Sequence, residues 1–271
     1  MRLLRNIEEN IIRIPIFVKT LIYNMLNNNK YEIIKYGEEK KQYYIIYEGN
    51  KKNKFIFFIH GGGWWHGTPK FCKGIANFFL SKGYNVIMPS YRLVPFNRYP
   101  TQIKDIFKAY KDFINNFNKE NNDIIIVAYS AGCELAVNLI LNNEMNENLK
   151  FDIKNIKKVV LLSGTLDFNK CTSKRYLKLI KNYIGKNKKI EKVNPINLIH
   201  KKIEIPFLCI HGERDSLIDI NNSISFVNKL NNFGGKGILM KIKNKHHCDT
   251  PMLLMNNKNI NTKNILNFIK N

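Results

Sequence analysis

Between Asp123 and Ala136 the chain switches abruptly from one hydrophobic period to another. The run Asp123-Ile-Ile-Ile-Val-Ala-Tyr opens with β-branched apolar residues, Ile124 to Val127, and reads as a strand buried on both faces. Cys133, Leu135, Ala136, Leu139 and Ile140 follow at helical spacing. Ser130 stands at the switch, with Ala128 two residues before it and Gly132 two residues after it. A serine on so sharp a strand-to-helix turn needs small residues at both places, because the chain folds back on itself there. Such a turn lifts the hydroxyl out at the end of a sheet, and the helix N-terminus behind it favours developing negative charge. The usual pattern has glycine at the first small position, and Ala128 is the next smallest choice. A short pattern of this kind is common by chance, so other stretches must decide its meaning.

The rest of the chain alternates in a way that suits this turn. Tyr31–Tyr36 and Gln42–Tyr47 read as a hairpin pair, with Gly37 near the turn. Lys54 to His60 reads as a buried strand that runs straight into Gly61-Gly62-Gly63-Trp64. Three glycines after a strand let the backbone aim its N–H groups at a ligand where any Cβ would interfere. A phosphate-binding turn is a poor reading, because no Lys-Ser/Thr pair follows and the spacing is wrong for a dinucleotide site. A helix over Phe71–Lys82 ending at Gly83, a strand over Tyr84–Pro89 and a helix starting at Thr101 come next. Beyond Ser130, strands are expected at Lys158–Ser163, Ile205–His211 and Lys236–Ile242, with helices near Asn222–Asn232 and at the C-terminus. The pattern predicts an α/β fold, a mostly parallel central sheet flanked by helices. Residues 166–198 are more polar and irregular and read as a small helical cap over the sheet's carboxyl edge. One domain is expected over residues 1–271. Its first 29 residues form an amphipathic segment broken at Pro15, which could be a second cap, a packed helix or a membrane-surface helix.

Charge and cysteine content narrow the class. The formal net charge is +23, but the lysines are spread along the chain and interleaved with asparagine, and no nucleic-acid-binding motif accompanies them. The five cysteines, Cys72, Cys133, Cys171, Cys209 and Cys248, are odd in number and show no CxxC spacing. That usage fits a reduced, cytoplasmic protein better than a disulfide framework or a zinc site. Charges interrupt the N-terminus before a signal-peptide core can form, and no apolar run is long enough to span a bilayer.

Two more stretches carry chemistry. Asp215 follows the strand ending at His211, and His246 and His247 follow the last strand. The chain order Ser, Asp, His is the one expected when a catalytic triad is built on a sheet of this kind. Asp219 or Asp167 could be the acid instead of Asp215, and only one of the adjacent histidines can face Ser130. His60, His66 and His211 read as structural or pocket residues. Trp64, Trp65 and Tyr129 could be pocket walls or core aromatics.

These pieces together resemble the α/β-hydrolase superfamily, in its esterase/lipase branch marked by His60-Gly-Gly-Gly-Trp64. The loop Tyr91-Arg-Leu with Pro95 and Tyr99-Pro100, and Asp105 in the next helix, resembles that branch too. Ser163-Gly164 with Asp167, Asp215-Ser216 and His247-Cys-Asp249 resembles kynurenine formamidase and related small carboxylesterases, which favours His247 as the base. The resemblance implies a serine hydrolase acting on a small ester or aryl formamide, with no metal or organic cofactor. Ser130 would attack the carbonyl, His247 would carry the proton and Asp215 would hold the imidazole. Backbone N–H groups of Gly62, Gly63 and Ala131 would bind the oxyanion. A non-catalytic binding protein of the same fold and a membrane-associated lipase are the competing readings.

Overall fold

The computed structural model describes residues 29–117, 122–142, 144, 153–186, 188–255 and 259–271. The amphipathic segment before Asn29, with its cap or membrane role, lies outside the described residues. Eight strands make the sheet: β1 (Glu32–Lys35), β2 (Tyr43–Tyr47), β3 (Lys54–Ile59), β4 (Asn85–Pro89), β5 (Asp123–Tyr129), β6 (Ile156–Leu162), β7 (Phe207–Gly212) and β8 (Gly237–Ile242). Their order across the sheet is β1-β2-β4-β3-β5-β6-β7-β8. The hairpin β1–β2 joins β4 antiparallel, and every pairing from β4 to β8 is parallel. The nucleophile-candidate strand β5 therefore sits centrally, between β3 and β6.

The apolar runs behave as parallel strands buried on both faces should. Along β3, Phe55, Phe57 and Ile59 enter one core, while Ile56 and Phe58 enter the other. Each such side chain contributes about 1.5–3 kcal/mol of burial energy. Six helices of eight or more residues are described: α1 (Lys73–Leu80), α2 (Thr101–Phe117), α3 (Ala131–Leu141), α4 (Lys174–Ile184), α5 (Asn221–Asn232) and α6 (Ile260–Lys270). On α2 the spacing of Ile103, Ile106, Phe107, Tyr110 and Phe113 places one stripe in the core beside Phe57.

One expected helix divides. The stretch read as a helix over Phe71–Lys82 is a 3-10 turn, Pro69–Cys72, followed by α1. Pro69 has no N–H to give and suits the first turn of a helix. At the other end Gly83, with φ +86°, closes a Schellman motif. Its N–H bonds Leu80 O at 2.8 Å and the Tyr84 N–H bonds Phe79 O at 3.1 Å. Tyr84 is thus spent on the helix cap, and β4 starts one residue later than the apolar run does.

The connection between β6 and β7 crosses above the sheet's carboxyl edge. It carries α4 and three shorter turns, and α4 is the helix that reaches the site described next.

Candidate active site

Ser130 sits on the turn between β5 and α3 with φ +55°, a region that non-glycine residues rarely occupy. Hydrogen bonds hold it there: its N–H bonds Leu162 O at 2.9 Å, and its carbonyl accepts from Cys133 N at 3.0 Å. The need for small neighbours is visible in atoms. A Cβ on Gly132 would come within 2.4 Å of Ile59 O and 2.6 Å of His60 O. Ala128, two residues before Ser130 on β5, is fully buried in the core.

Ser130 Oγ is 3.0 Å from His247 Nε2, and His247 Nδ1 is 2.8 Å from Asp215 Oδ2. All three residues are buried. His246 is placed differently. Its backbone N–H bonds Asp249 Oδ2 at 2.8 Å, and its imidazole is not the one on Ser130. Asp167 caps the turn after β6, accepting from Asn169 N and bonding Asn194 and Ser225, and Asp219 accepts from Asn221 N. Of the three aspartates considered, Asp215 is the one on His247.

Asp215 is held firmly. Its Oδ1 accepts from the N–H groups of Leu217 and Ile218, at 3.0 and 2.8 Å. Its Oδ2 is shared with a second histidine: His211 Nε2 lies 3.2 Å away. His211 is fully buried, with Nδ1 against Ser223 Oγ at 2.8 Å and Nε2 also 3.0 Å from Ile218 O. It is a support for the carboxylate and not a pocket residue. Its i,i+4 spacing from Asp215 was the available signal. Burial by itself would raise the Asp215 pKa. The charge available on His247 and the bonds from His211 and His247 outweigh that, so the carboxyl is held well below the usual carboxylate range.

The glycine loop follows β3. Gly62 and Gly63 have φ +121° and +59°, and a Cβ on Gly62 would fall 1.8 Å from His66 O. His60 steadies the entry to the loop, with Nδ1 2.7 Å from Gly61 O and its ring stacked on Tyr91 at 4.4 Å. Burial pushes the His60 pKa down to about 4, so it stays neutral. Tyr91 donates to His60 O at 2.9 Å, and Arg92 grips Asp105 of α2 through Nε and a second guanidinium nitrogen at 2.8–3.2 Å. The Tyr91-Arg-Leu loop is thereby tied to both the glycine loop and the helix behind it. Trp64 is fully buried, whereas Trp65 is about half exposed. Tyr129 borders the site, its ring 5.2 Å from that of His247.

A feature absent from the sequence reading is Glu134, on the first turn of α3 and fully buried. Its carboxyl accepts from Trp64 Nε1 at 3.1 Å, Tyr183 OH at 3.1 Å and Asn138 Nδ2 at 2.8 Å. Trp64 and Tyr183 stack in parallel at 4.2 Å. One carboxyl thus joins the glycine loop, α3 and α4. Nearby, Leu179 of α4 packs over Gly63, where an added Cβ would meet it at 2.8 Å.

Burial pushes the Glu134 carboxyl up to about 8, against the bonds from Trp64 and Tyr183 that favour its charged form. When protonated it can give its proton to the Tyr183 oxygen, which both donates and accepts. The folded chain keeps this proton at neutrality, while the unfolded chain releases it near ~4.3. The resulting stabilisation is complete below that lower value and is lost as pH rises toward about 8. Relative to Glu134→Gln, which cannot titrate, the parent is expected to lose on the order of 4 kcal/mol of stability between pH 5 and pH 8. Urea unfolding of both proteins across that range measures it; parallel curves would refute the assignment.

Among the described residues, no group of three or more His, Cys, Asp and Glu side chains is arranged to hold a metal ion, and no helix is long and apolar enough to cross a membrane.

A parallel sheet with a serine turn after its central strand, a glycine loop beside it and helices on both faces is the α/β-hydrolase fold. The family model BD-FAE matches residues 42–230, and the chain belongs to that family, within the esterase/lipase branch of the superfamily. Similar solved structures share the fold at low identity. Esterase B from Lactobacillus rhamnosis aligns with a TM-score of 0.75 and 16% identity, over 99% of this chain and 94% of that one. A truncated carbohydrate esterase from gut microbiota gives 0.73 and 20%, over 89% and 96%. Carboxyl esterase 2 from the mycorrhizal fungus Tuber melanosporum gives 0.72 and 17%, over 90% and 86%. No curated protein sequence matches the chain.

Proposed function

We propose that the protein is a serine hydrolase that cleaves a small carboxylic ester through an acyl-enzyme on Ser130. The observation that carries this reading is the buried run of hydrogen bonds from Ser130 Oγ through His247 to Asp215. Ionised Asp215 can only accept, so His247 Nδ1 bears its proton and Nε2 is free to take the one on Ser130. In acylation the Oγ–carbon bond forms as that proton passes to Nε2 and the carbonyl π pair moves onto oxygen. N–H groups of Gly62, Gly63 and Ala131 receive the oxyanion, each worth about 3 kcal/mol in comparable sites. The pair then returns, the alkoxy group leaves and His247 gives it the proton. Water repeats the sequence on the acyl-enzyme and frees the acid.

The similar structures include a carbohydrate esterase and a carboxyl esterase, which supports an ester as substrate. A short acyl group is favoured by the closeness of α4, which sets Leu179 over Gly63 and leaves Ser130 only 3% exposed. The test is hydrolysis of p-nitrophenyl acetate, butyrate and octanoate, with N-formylkynurenine alongside. Acetate turned over faster than octanoate is the expected result. Preference for N-formylkynurenine would make the substrate an aryl formamide, and octanoate turned over fastest would refute the short-acyl reading.

A further inference from the structure

Ser163, the first residue after β6, holds a backbone conformation that its residue type disfavours. Its φ is +45°, in the left-handed region, while the residue best suited to that region stands one position later, at Gly164. Such an outlier persists only where its surroundings hold it, and it points to a function. Ser163 N–H bonds Ile210 O at 2.8 Å, and its side chain reaches the segment that carries His247. Ser163 Oγ is 2.9 Å from Thr250 Oγ1, and Thr250 Oγ1 donates to His247 O at 3.3 Å. Ser163 and Thr250 are both fully buried, so water does not compete for these bonds.

The direction of each bond follows from its partners. A carbonyl oxygen can only accept, so the Thr250 proton goes to His247 O. Toward Ser163 the Thr250 oxygen then offers only lone pairs, and the Ser163 O–H donates to it. The His247 carbonyl has a use for this side chain. The short helix Asp249–Met252 begins just beyond it, and the residue four places on, which would supply the helical N–H, is Pro251. The residue before Ser163 holds the other partner, since Leu162 O accepts from Ser130 N–H at 2.9 Å. The dipeptide Leu162-Ser163 is therefore bonded to Ser130 through a carbonyl and to the backbone of His247 through two hydroxyls.

We propose that Ser163 and Thr250 are positioning residues, a hydroxyl relay that fixes the backbone of His247 against the strand end that also holds Ser130, and so sets the geometry of proton transfer between the two. The proposal rests on reading Ser130 as the nucleophile and His247 as the base. Proton transfer needs Oγ and Nε2 within hydrogen-bond reach, and they stand 3.0 Å apart. Asp215 holds the imidazole at its other nitrogen, but the ring still swings about its own Cα. The relay removes freedom at that pivot. A misplacement of about 1 Å in such a site can lower the rate on the order of 100-fold. The relay ends on a backbone carbonyl and not on a reacting atom, so it acts on kcat rather than on binding.

Ser163→Gly removes the hydroxyl and suits the left-handed backbone, so it separates activity from stability. Two rates test it: turnover of p-nitrophenyl acetate and second-order labelling by a fluorophosphonate, which reports proton transfer from the serine without deacylation. Both are expected to fall about 10-fold, as for a displacement well short of ~1 Å. KM and the melting temperature should hardly change. Thr250→Val should slow both rates at least as much, whereas Thr250→Ser, which keeps the hydroxyl, should stay within about twofold of the parent. Ser163→Gly combined with Thr250→Val should be no slower than Thr250→Val alone, because both changes cut one relay. Rates in Ser163→Gly within about twofold of the parent, an effect confined to KM, or Thr250→Ser as slow as Thr250→Val overturns the proposal. Ser130→Ala, run beside these, separates the two readings. Labelling lost there but unchanged in Ser163→Gly overturns this proposal alone, and labelling that persists in Ser130→Ala overturns both.

Discussion

Ser130→Ala is expected to lower kcat on p-nitrophenyl acetate by about 10⁶-fold, the scale seen when a serine nucleophile that acts with its histidine as a unit is removed. The size follows from the geometry. Without Oγ no acyl-enzyme forms, and His247 has no proton to take. What remains is water attacking a carbonyl held by the glycine loop, which retains roughly 10³- to 10⁴-fold over solution. The fold should survive intact. Ser130 N–H and C=O make the bonds that hold the turn, and both belong to the backbone. Alanine is also no worse than serine at φ +55°, since each carries one Cβ. Circular dichroism and melting should therefore match the parent while turnover vanishes. A variant that keeps even a tenth of its turnover would remove Ser130 from the mechanism.

Asp215→Asn should cost about 10⁴-fold in kcat, the loss expected when the wrong histidine tautomer is enforced. The amide that replaces the carboxylate has one oxygen and one NH₂. Its surroundings decide which way it turns. The N–H groups of Leu217 and Ile218 both point at Oδ1, so the oxygen takes that side. The NH₂ then faces His247 Nδ1 and also His211 Nε2. His247 must answer with an unprotonated Nδ1, which moves its proton to Nε2 and leaves nothing to accept from Ser130. Lost rate with unchanged KM is the expected pattern, and hydroxide should partly restore turnover as pH is raised. A loss of only a few fold would show that Asp215 merely packs against the imidazole. His246→Ala is the matching control, expected to stay within a few fold of the parent.

How far the chain could be read without coordinates depended on where its information is local. Period and residue type located the central strands β3 to β7 because parallel, doubly buried strands write themselves as unbroken apolar runs. Ser130, Gly62 and Gly63 could be picked out because tight turns admit few residue types, and the turn itself is a local event. His247 was harder to separate from His246, since neighbouring residues differ only in which way the loop points them. Glu134 escaped a reading of the sequence for a physical reason. It matters through partners that the fold brings from afar, Trp64 across 70 positions and Tyr183 across 49. A glutamate four residues past a serine on a helix announces nothing until a tryptophan and a tyrosine are seen to close over it. The start of β4 differs from the apolar run by one residue because the capping motif of α1 uses the Tyr84 N–H, while its side chain also suits the strand that follows.

The carboxyl of Glu134 sets a limit on how this enzyme scaffold can be rebuilt. Its three donors come from segments that are distant in the chain: the loop after β3, α3 itself, and the crossing between β6 and β7. Residues 166–198 are the natural piece to exchange in order to change substrate range. A transplanted crossing without a tyrosine at the place of Tyr183 would leave this acid short of a partner in the dark interior, at a cost of roughly 1–3 kcal/mol for the orphaned group. It would also remove the ring on which Trp64 lies. Chimeras should therefore carry the tyrosine with the graft, or replace the glutamate and the tyrosine together by a hydrophobic pair. The crossing and α3 are in that sense a single heritable part, although Glu134 and Tyr183 stand 49 positions apart in the chain.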